Sequence, residues 1–351
     1  MKFDLPQERE LPKLMRGLSS KKVLEILEST LLKPVAEFLS RPSKQLRGQL
    51  VSAGLYLADT CDLAPSELDQ KRKCELGEVL LESLHAGSLV IDDIQDQSEN
   101  RRGAPTLHRQ VGVPLALNAG NWLYFWPLKQ IRRFGLPESV ELALYRCVHD
   151  TLIRAHFGQA LDLGTEIQKL SQAEVPKICR ASMELKSGAL MGLAMEVGGI
   201  LGGVSEQRLD QLSKLGVSLG VSLQKFDDIG NIRAAESGDP LSEKRQEDLR
   251  NGGPTWIWGV VASTLDQSAY SNWVACFEKS EIQINKICQV LREHQIAEHA
   301  YEQASEELEK NIQEFVKTLG DAAVSDKIRS HWNQGIQIIR QIQERLNQAY
   351  G

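Results

Sequence analysis

Apolar residues recur at steps of three and four positions along almost the whole chain of 351 residues. This spacing places them on one face of an α-helix. The sequence contains no sustained alternation of apolar and polar positions, the pattern that indicates strands. We therefore predict an all-α fold, built as a bundle of long helices with short loops. Residues 1–20 are expected to form a lead-in segment, and residues 21–351 to form one helical domain.

Several individual helices can be placed from this pattern. Two are expected at about 21–40 and 43–60, with Pro42 opening the second one. Residues 191–203, MGLAMEVGGILGG, predict a glycine-rich helix that is buried in the core. From about residue 256 to the end, isoleucine and leucine recur at helical spacing, which predicts amphipathic scaffold helices.

The composition argues against several classes of protein. The net charge of −6 and the sequence pI of about 5.8 argue against a nucleic-acid-binding protein, which would carry a basic face. Charged residues or glycine interrupt every apolar stretch before about 18 residues, so we predict no transmembrane helix. The mixed-charge start of the chain does not resemble a signal peptide. Six scattered cysteines without a CxxC pair predict reduced thiols in a cytoplasmic protein.

An apolar segment runs into a group of carboxylates at residues 84–103, LHAGSLVIDDIQDQSENRRG. Asp92 and Asp96 lie four positions apart and share a helix face, and Asp93 lies beside them. Such carboxylates repel one another unless a cation binds between them, and hard oxygen ligands suit Mg²⁺. Arg101 and Arg102, which follow, have planar donors that suit a diphosphate. For this motif alone, an acidic helix end in solvent is an equally good interpretation.

A second stretch, VSLQKFDDIGN at residues 221–231, repeats the pattern about 135 positions later. It runs from apolar residues into Asp227 and Asp228, and Asn231 follows one helical turn after Asp227. Two such motifs predict two walls of one metal-lined cavity. The predicted metal ligands are Asp92, Asp96, Asp227 and Asp228.

With these motifs, the sequence resembles the trans-isoprenyl diphosphate synthases of the polyprenyl synthetase family, and especially geranylgeranyl diphosphate synthases. The resemblance implies the isoprenoid synthase fold of class I terpenoid synthases, a single large helical bundle. The matching segments, in the order of the family, are RPSKQLRG (41–48), SLHAGSLVIDDIQDQSENRRGAPTLH (83–108), GQALDL (158–163), LKSGAL (185–190), LQKFDDIGN (223–231) and EKRQEDLRNGGPT (243–255).

The resemblance also implies roles for individual residues. Catalysis would involve Asp92, Asp93, Asp96, Arg101, Lys186, Gln224 and Asp227, with three Mg²⁺ ions per site. The residues that would bind isopentenyl diphosphate are Lys44, Arg47, His85 and Arg102. Those that would bind or border the allylic diphosphate are Arg101, Lys186, Ser187, Gln224 and Lys244, with Asp162 acting on the metals through its neighbours.

These roles predict a prenyltransferase. An allylic diphosphate ionises with the help of Mg²⁺, the cation adds to isopentenyl diphosphate, and the released diphosphate accepts a proton. The residues on the turn before Asp92 are Ala86, Gly87 and Ser88, all small, where family members that stop at fifteen carbons carry aromatic residues. We therefore expect a product of twenty carbons or longer. The enzyme is expected to be a cytoplasmic homodimer.

Two departures from the family pattern leave two alternatives open. Asn231 replaces the third aspartate of the second motif, and Gly253 stands where a second phosphate-binding lysine is expected. One alternative is a class I terpene cyclase, but the cyclase metal motif fails because Ala235 stands where it needs a glutamate. The other is a non-catalytic subunit that regulates an active synthase, against which the intact first motif argues.

Overall fold

A computed structural model gives the fold of this chain. Within its described ranges the structure is almost entirely helical, with strands of two residues each at β1 (Asn100–Arg101) and β2 (Ala104–Pro105). The predicted all-α class is confirmed. The described residues are 5–7, 9–42, 46–58, 67–236, 252–277, 284–320 and 324–350.

The chain divides into two compact units, each of which is described by itself. The first comprises Met1–Val51 and Pro65–Tyr145, and the second comprises Ser52–Ala64 and Arg146–Gly351. Two helices, α4 and α8, begin in the first unit and end in the second. The helices that belong wholly or partly to the first unit are α1 (Leu11–Leu14), α2 (Lys21–Leu27), α3 (Lys33–Ser40), α4 (Leu46–Tyr56), α5 (Glu67–Gln95), α6 (Leu107–Val111), α7 (Val113–Phe134) and α8 (Glu138–Gly164).

The predicted helix at 21–40 is present. Ser20 begins it, because its hydroxyl accepts a hydrogen bond from the amide of Val23 and so caps the first turn. A π-helical turn at Glu28–Leu32 joins α2 to α3 without a break. The described part of the next helix runs from Leu46 to Tyr56; residues 43–45 lie outside the described residues, so the opening of this helix at Pro42 stays a prediction.

The core of the first unit lies where α5 packs against α7. Small residues on α7 allow the close approach, since an added Cβ at Gly120 would lie 2.7 Å from Cδ1 of Ile91 on α5. The neighbouring α3 and α6 complete the apolar cluster. Its buried members are Leu31, Val35, Phe38, Leu39, Ala86, Val90, Leu107, Ala116, Ala119 and Leu123.

A tight β-hairpin follows α5. Its strands pair antiparallel, with Arg101 opposite Ala104, and the two turn residues Arg102 and Gly103 both have positive φ angles, +54° and +78°. Such a turn matches the twist of the strands, but a non-glycine residue in this conformation costs about 1–3 kcal/mol. The hairpin therefore holds Arg102 in a strained conformation that the surrounding structure must stabilise.

The second unit is built around α10, whose residues from Ala189 to Leu201 are all buried. This confirms the predicted glycine-rich core helix. An added Cβ at Gly216 would lie 2.5 Å from the carbonyl oxygen of Met191, so α10 and α11 touch backbone to backbone. The helices that lie wholly in the second unit are α9 (Val175–Met183), α10 (Ala189–Gly202), α11 (Glu206–Glu236), α12 (Trp256–Thr264), α13 (Gln267–Ala275), α14 (Ile284–Glu293), α15 (Ile296–Leu319) and α16 (Asp326–Tyr350).

Two shorter helical segments complete the second unit, a 3₁₀ turn at Ile167–Lys169 and a π-helical turn at Glu184–Gly188 between α9 and α10. The amphipathic helices predicted near the end of the sequence correspond to α14, α15 and α16. In the described part of the chain, no helix has the length and apolar character needed to cross a bilayer. The five described cysteines form no disulfide with one another, and Cys61 lies outside the described residues.

Candidate active site

The three aspartates at the end of α5 differ in how far they are buried. Asp93 is buried, and its Oδ1 accepts a hydrogen bond of 2.7 Å from Nε of Arg101 and lies 2.5 Å from Nη2. Asp92 is half-buried, 3.7 Å from the same guanidinium, and Asp96 is exposed. Burial alone would lower the pKa of Arg101, but the hydrogen bond and charge of Asp93, with Asp92 and Asp96, raise it. Asp93 thus orients Arg101, whereas Asp92 and Asp96 share the more accessible face.

A buried arginine that the sequence analysis missed holds the hairpin in place. The guanidinium of Arg41 donates to the carbonyl oxygens of Arg101 (3.2 Å) and Pro105 (2.9 Å), one on each strand. It also pairs with both carboxylate oxygens of Glu37, at 3.1 and 2.9 Å, and lies 5.0 Å from the ring centre of Phe38. Arg41 is therefore a clamp on the segment that presents Arg101 and Arg102. In the sequence, Arg41 could have been recognised as the first residue of the segment 41–48 that matches the family.

His85 lies among arginines in the first unit. Burial, followed by the charges of Arg47, Arg102 and Arg101, lowers the pKa of His85 well below its usual 6.5, so the imidazole is neutral at pH 7. Burial also lowers the pKa of Arg102. The charge of the buried Glu82 carboxylate, one helical turn before His85, partly offsets this shift. Positive charges held this close repel one another, and a bound anion relieves that repulsion. We call His85, Arg47 and Arg102 the His85 cluster, and these side chains are suited to a diphosphate.

In the second unit, the π-helical turn presents Lys186 and Ser187. The ammonium of Lys186 lies 2.5 Å from Oδ2 of Asp162 on α8. Two glycines allow the neighbouring helices to pack closely against this turn. An added Cβ at Gly158 would lie 2.4 Å from the amide nitrogen of Lys186, and one at Gly220 would lie 2.6 Å from the carbonyl oxygen of Ser187. The backbone of Lys186 is thus fixed between α8 and α11, which is a condition for precise positioning of its charge.

A chain of hydrogen bonds continues from Ser187. Its hydroxyl donates to Oε1 of Gln224 (2.9 Å), whose Nε2 donates to Oδ1 of Asp228 (2.8 Å). The other oxygen of Asp228 accepts from the backbone amide of Trp256 (2.7 Å), the first residue of α12. Buried Asp228 therefore caps α12 and orients Gln224. Its predicted role as a metal ligand stays a prediction, and the half-buried Asp227 beside it has more access to a ligand.

An ion pair between buried Lys225 and half-buried Glu307 lies next to this network, because Lys225 also contacts Trp256. Lys225 lies 2.6 Å from Glu307 on α15, and its ammonium sits 3.9 Å from the ring centre of Trp256. Burial lowers the pKa of Lys225, and the hydrogen bond and charge of Glu307 oppose that change. This pair could not be predicted, because a lysine between Gln224 and Asp227 shows no partner within the motif.

The remaining predicted residues divide between described and undescribed positions. Lys44 and Lys244, and the polar segment around Lys244, lie outside the described residues. Gly253 is described, and an added Cβ there would lie 4.0 Å from Oδ1 of Asp162, beside the Lys186 pair. Within the described ranges, no three His, Cys, Asp or Glu side chains form a preassembled metal site. That Asp92 and Asp227 line one cavity stays a prediction.

The chain is similar to known proteins in sequence and in fold. A family model described as polyprenyl synthetase matches residues 28–294, most of the chain. A geranylgeranyl diphosphate synthase of Sulfolobus acidocaldarius is 32% identical over 202 residues, covering 56% of this chain and 58% of that protein. A short chain isoprenyl diphosphate synthase of Methanothermobacter thermautotrophicus is 34% identical over 192 residues, covering 54% and 55%. The chain thus spans little more than half the length of these relatives.

A solved structure shows the same fold over nearly the whole chain. It is a geranylgeranyl pyrophosphate synthase from Corynebacterium glutamicum, complexed with isoprenyl diphosphate and magnesium. Its TM-score to this chain is 0.72 at 20% sequence identity, and the match covers 97% of this chain and 96% of that one.

Proposed function

We propose a function from one premise: the chain belongs to the polyprenyl synthetase family. The protein condenses an allylic prenyl diphosphate with isopentenyl diphosphate to give a longer trans-prenyl diphosphate. The observation that carries the proposal is that each unit holds its own group of cationic and hydrogen-bonding side chains, and we propose that each group binds one diphosphate. One is the His85 cluster, and the other is Lys186 with the hydrogen-bonded chain from Ser187. Joining two diphosphates requires two diphosphate sites, whereas a cyclase requires one.

The residues present fit Mg²⁺ as the metal. Asp92, Asp96 and Asp227 offer hard carboxylate oxygens, and the charge of Asp93 is already neutralised by Arg101. When bound, Mg²⁺ neutralises charge on the departing diphosphate. The magnesium in the structure from Corynebacterium glutamicum supports this assignment. Three ions per site is the number we propose from the family resemblance.

The side chains have separate tasks in the reaction. Lys186, Arg101 and Lys244 bind the allylic diphosphate, and its C–O bond breaks with the electron pair leaving on the diphosphate. The amide of Gln224, oriented by Ser187 and Asp228, faces the allylic cation. Isopentenyl diphosphate is bound by Lys44, Arg47, His85 and Arg102.

The double bond of isopentenyl diphosphate then supplies the electron pair of the new carbon–carbon bond. The carbon next to the resulting cation loses a proton to the released diphosphate, and its C–H electrons form the new double bond. The products are a longer allylic diphosphate and a protonated diphosphate, so atoms and charges balance without a protein base.

The experiment is to incubate the full chain with Mg²⁺, isopentenyl diphosphate and allylic diphosphates of five, ten or fifteen carbons. A longer prenyl diphosphate supports the proposal, a hydrocarbon indicates a cyclase, and the absence of any product indicates a regulatory subunit. Asp92→Ala should lower turnover by about 100-fold or more while leaving the circular dichroism spectrum unchanged. The control Glu99→Ala removes an exposed carboxylate seven positions later and should retain activity.

We also propose that a second copy of the chain covers one face of α7. Val113, Leu117 and Phe125 recur there at helical spacing and are all exposed, Phe125 by 70%. An apolar stripe of this kind marks an interface, and twofold homodimers are the commonest closed assembly. Light scattering should give twice the chain mass, and Phe125→Asp should shift the protein to monomers. A cytoplasmic location and a product of at least twenty carbons remain predictions.

A further inference from the structure

A lysine that has no task in the proposed reaction is buried within the second motif. The side chain of Lys225 is only 4% exposed, and its ammonium lies 2.6 Å from Oε2 of Glu307 on α15, whose side chain is 39% exposed. Removing an ammonium from water is costly, and apolar residues often replace a buried ion pair without loss of stability. The charge of Lys225 is therefore better explained by what it positions than by what it stabilises.

The ammonium of Lys225 also contacts the ring of Trp256, the first residue of α12. It lies 3.9 Å from the centre of that ring, which is the distance of a cation–π interaction. The indole Nε1 of Trp256 donates a hydrogen bond of 3.3 Å to the carbonyl oxygen of Ala300 on α15. The start of α12 is thus held by α11 through Lys225 and by α15 through Ala300, and Glu307 holds the lysine between these helices.

The backbone of Trp256 connects this contact to the candidate site. Its amide donates to Oδ2 of Asp228 (2.7 Å), and Oδ1 of the same carboxylate accepts from Nε2 of Gln224 (2.8 Å). The carboxylate of Asp228 therefore bridges the first turn of α12 and the amide of Gln224. A shift of that turn would displace the carboxylate, and the Gln224 amide would lose its orientation.

We propose that Lys225 is a positioning residue: through the ring of Trp256, its charge fixes the start of α12, so that Asp228 holds the Gln224 amide in the orientation that the reaction requires. This inference rests on the proposed function, in which that amide faces the allylic cation. Loss of the orientation would leave the diphosphate-binding side chains in place and weaken an interaction made mainly in the transition state. Such a change lowers kcat and leaves KM unchanged.

The test is the steady-state kinetics of variants of the full chain with each substrate. Lys225→Met removes the charge and keeps the length of the side chain, so kcat should fall about tenfold or more while both KM values stay within about twofold of the wild type. Trp256→Leu removes the ring and should lower kcat in the same way, whereas Trp256→Phe keeps a ring beside the ammonium and should retain kcat within about threefold. Because the charge acts through the ring, the double variant Lys225→Met/Trp256→Leu should lose no more than the worse single variant.

The matched control is another lysine on the same helix. Lys214 pairs with Asp210 at 2.6 Å, but both side chains are largely exposed. Lys214→Met also replaces an ammonium on α11 by a thioether, and it should leave kcat and both KM values unchanged.

The outcomes separate this inference from the proposed function. If the wild type elongates but Lys225→Met keeps the wild-type kcat, or loses activity through KM alone, the inference is wrong and the proposed function stands. Losses that multiply in the double variant would also overturn it, because the lysine and the ring would then act independently. Should Lys225→Met not fold, as judged by circular dichroism, equal kcat in Trp256→Leu and Trp256→Phe would overturn the inference and a higher kcat in Trp256→Phe would support it. If the wild type does not elongate at all, the proposed function fails and the inference fails with it.

Discussion

Truncation of Arg41 should weaken both the fold of the first unit and the binding of isopentenyl diphosphate. Arg41→Ala removes two hydrogen bonds from a charged donor to the carbonyls of Arg101 and Pro105. Such bonds contribute roughly 1.5–3 kcal/mol each when buried, and less here because Pro105 is exposed and its carbonyl can turn to water. The ion pair with Glu37 adds little, since that carboxylate is half-exposed. We expect a loss of about 2–4 kcal/mol in the free energy of unfolding.

The effect on the site follows from the strain in the hairpin. Without the clamp, Arg102 can leave its positive φ, and the arginines around His85 lose their fixed positions. Loss of one well-placed charge contact is about 1.4 kcal/mol, so KM for isopentenyl diphosphate should rise about tenfold at a temperature where the variant stays folded. Arg41→Lys keeps the charge but cannot contact both carbonyls and Glu37 at once. Its stability and its KM should therefore lie between those of the wild type and those of Arg41→Ala.

The assay combines chemical denaturation with steady-state kinetics in each substrate. Arg109→Ala is the control, because that arginine lies near the same hairpin in an exposed pair with Glu99 and should cost less than about 1 kcal/mol. The reasoning fails if Arg41→Ala unfolds at the same denaturant concentration as Arg109→Ala. It fails equally if KM for the allylic substrate rises while KM for isopentenyl diphosphate does not.

Three further predictions concern charge and packing. The folded protein lowers the pKa of His85, so protonation of this residue favours the unfolded chain. The free energy of unfolding should therefore be highest above about pH 6.5 and fall by up to about 1.4 kcal/mol per pH unit below it. Chemical denaturation of His85→Gln should lack this contribution to the pH dependence. Gly253→Lys should place a cation beside Asp162 and lower KM for the allylic diphosphate up to about tenfold, whereas Gly253→Met should not. Gly54→Ala would bring a Cβ within 2.4 Å of the Met195 carbonyl, and should cost about 1–3 kcal/mol in thermal unfolding with no change in KM.

The helices and the chemical class of the site could be predicted because each rests on a local pattern. Apolar spacing of three and four predicts a helix wherever it occurs, and α10 and α16 lie close to where the pattern puts them. One group of carboxylates at the end of an apolar helix fits an acidic helix end in solvent equally well, but two such groups indicate a bound cation. The short hairpin escaped prediction because β1 and β2 have two residues each, too few for any alternation to be visible.

The partners that orient the site could not be predicted, since they come from distant parts of the chain. Arg41 reaches carbonyls that lie 60 and 64 positions away, and Lys225 meets Glu307 across 82 positions. An ion pair of this kind leaves no periodic signal. Asp93 and Asp228 show the same limit in another form. Neither motif shows that Asp93 is held by Arg101, or that Asp228, a predicted metal ligand, accepts a hydrogen bond from the first amide of α12.

Gly87 shows why a small residue in a motif can be explained in two opposite ways. A glycine beside a substrate cavity leaves room for the substrate, and a glycine at a helix crossing leaves room for the other helix. The residue is the same in both cases, and its neighbour in the structure shows which explanation applies. At Gly87 the neighbour is α7, since an added Cβ would lie 2.9 Å from the carbonyl oxygen of Gly120, 3.1 Å from Cβ of Leu123 and 3.4 Å from Cδ1 of Tyr124. Gly87→Ala should therefore first disturb the packing of α5 on α7, and thermal unfolding should show this loss of stability whatever the product of the reaction.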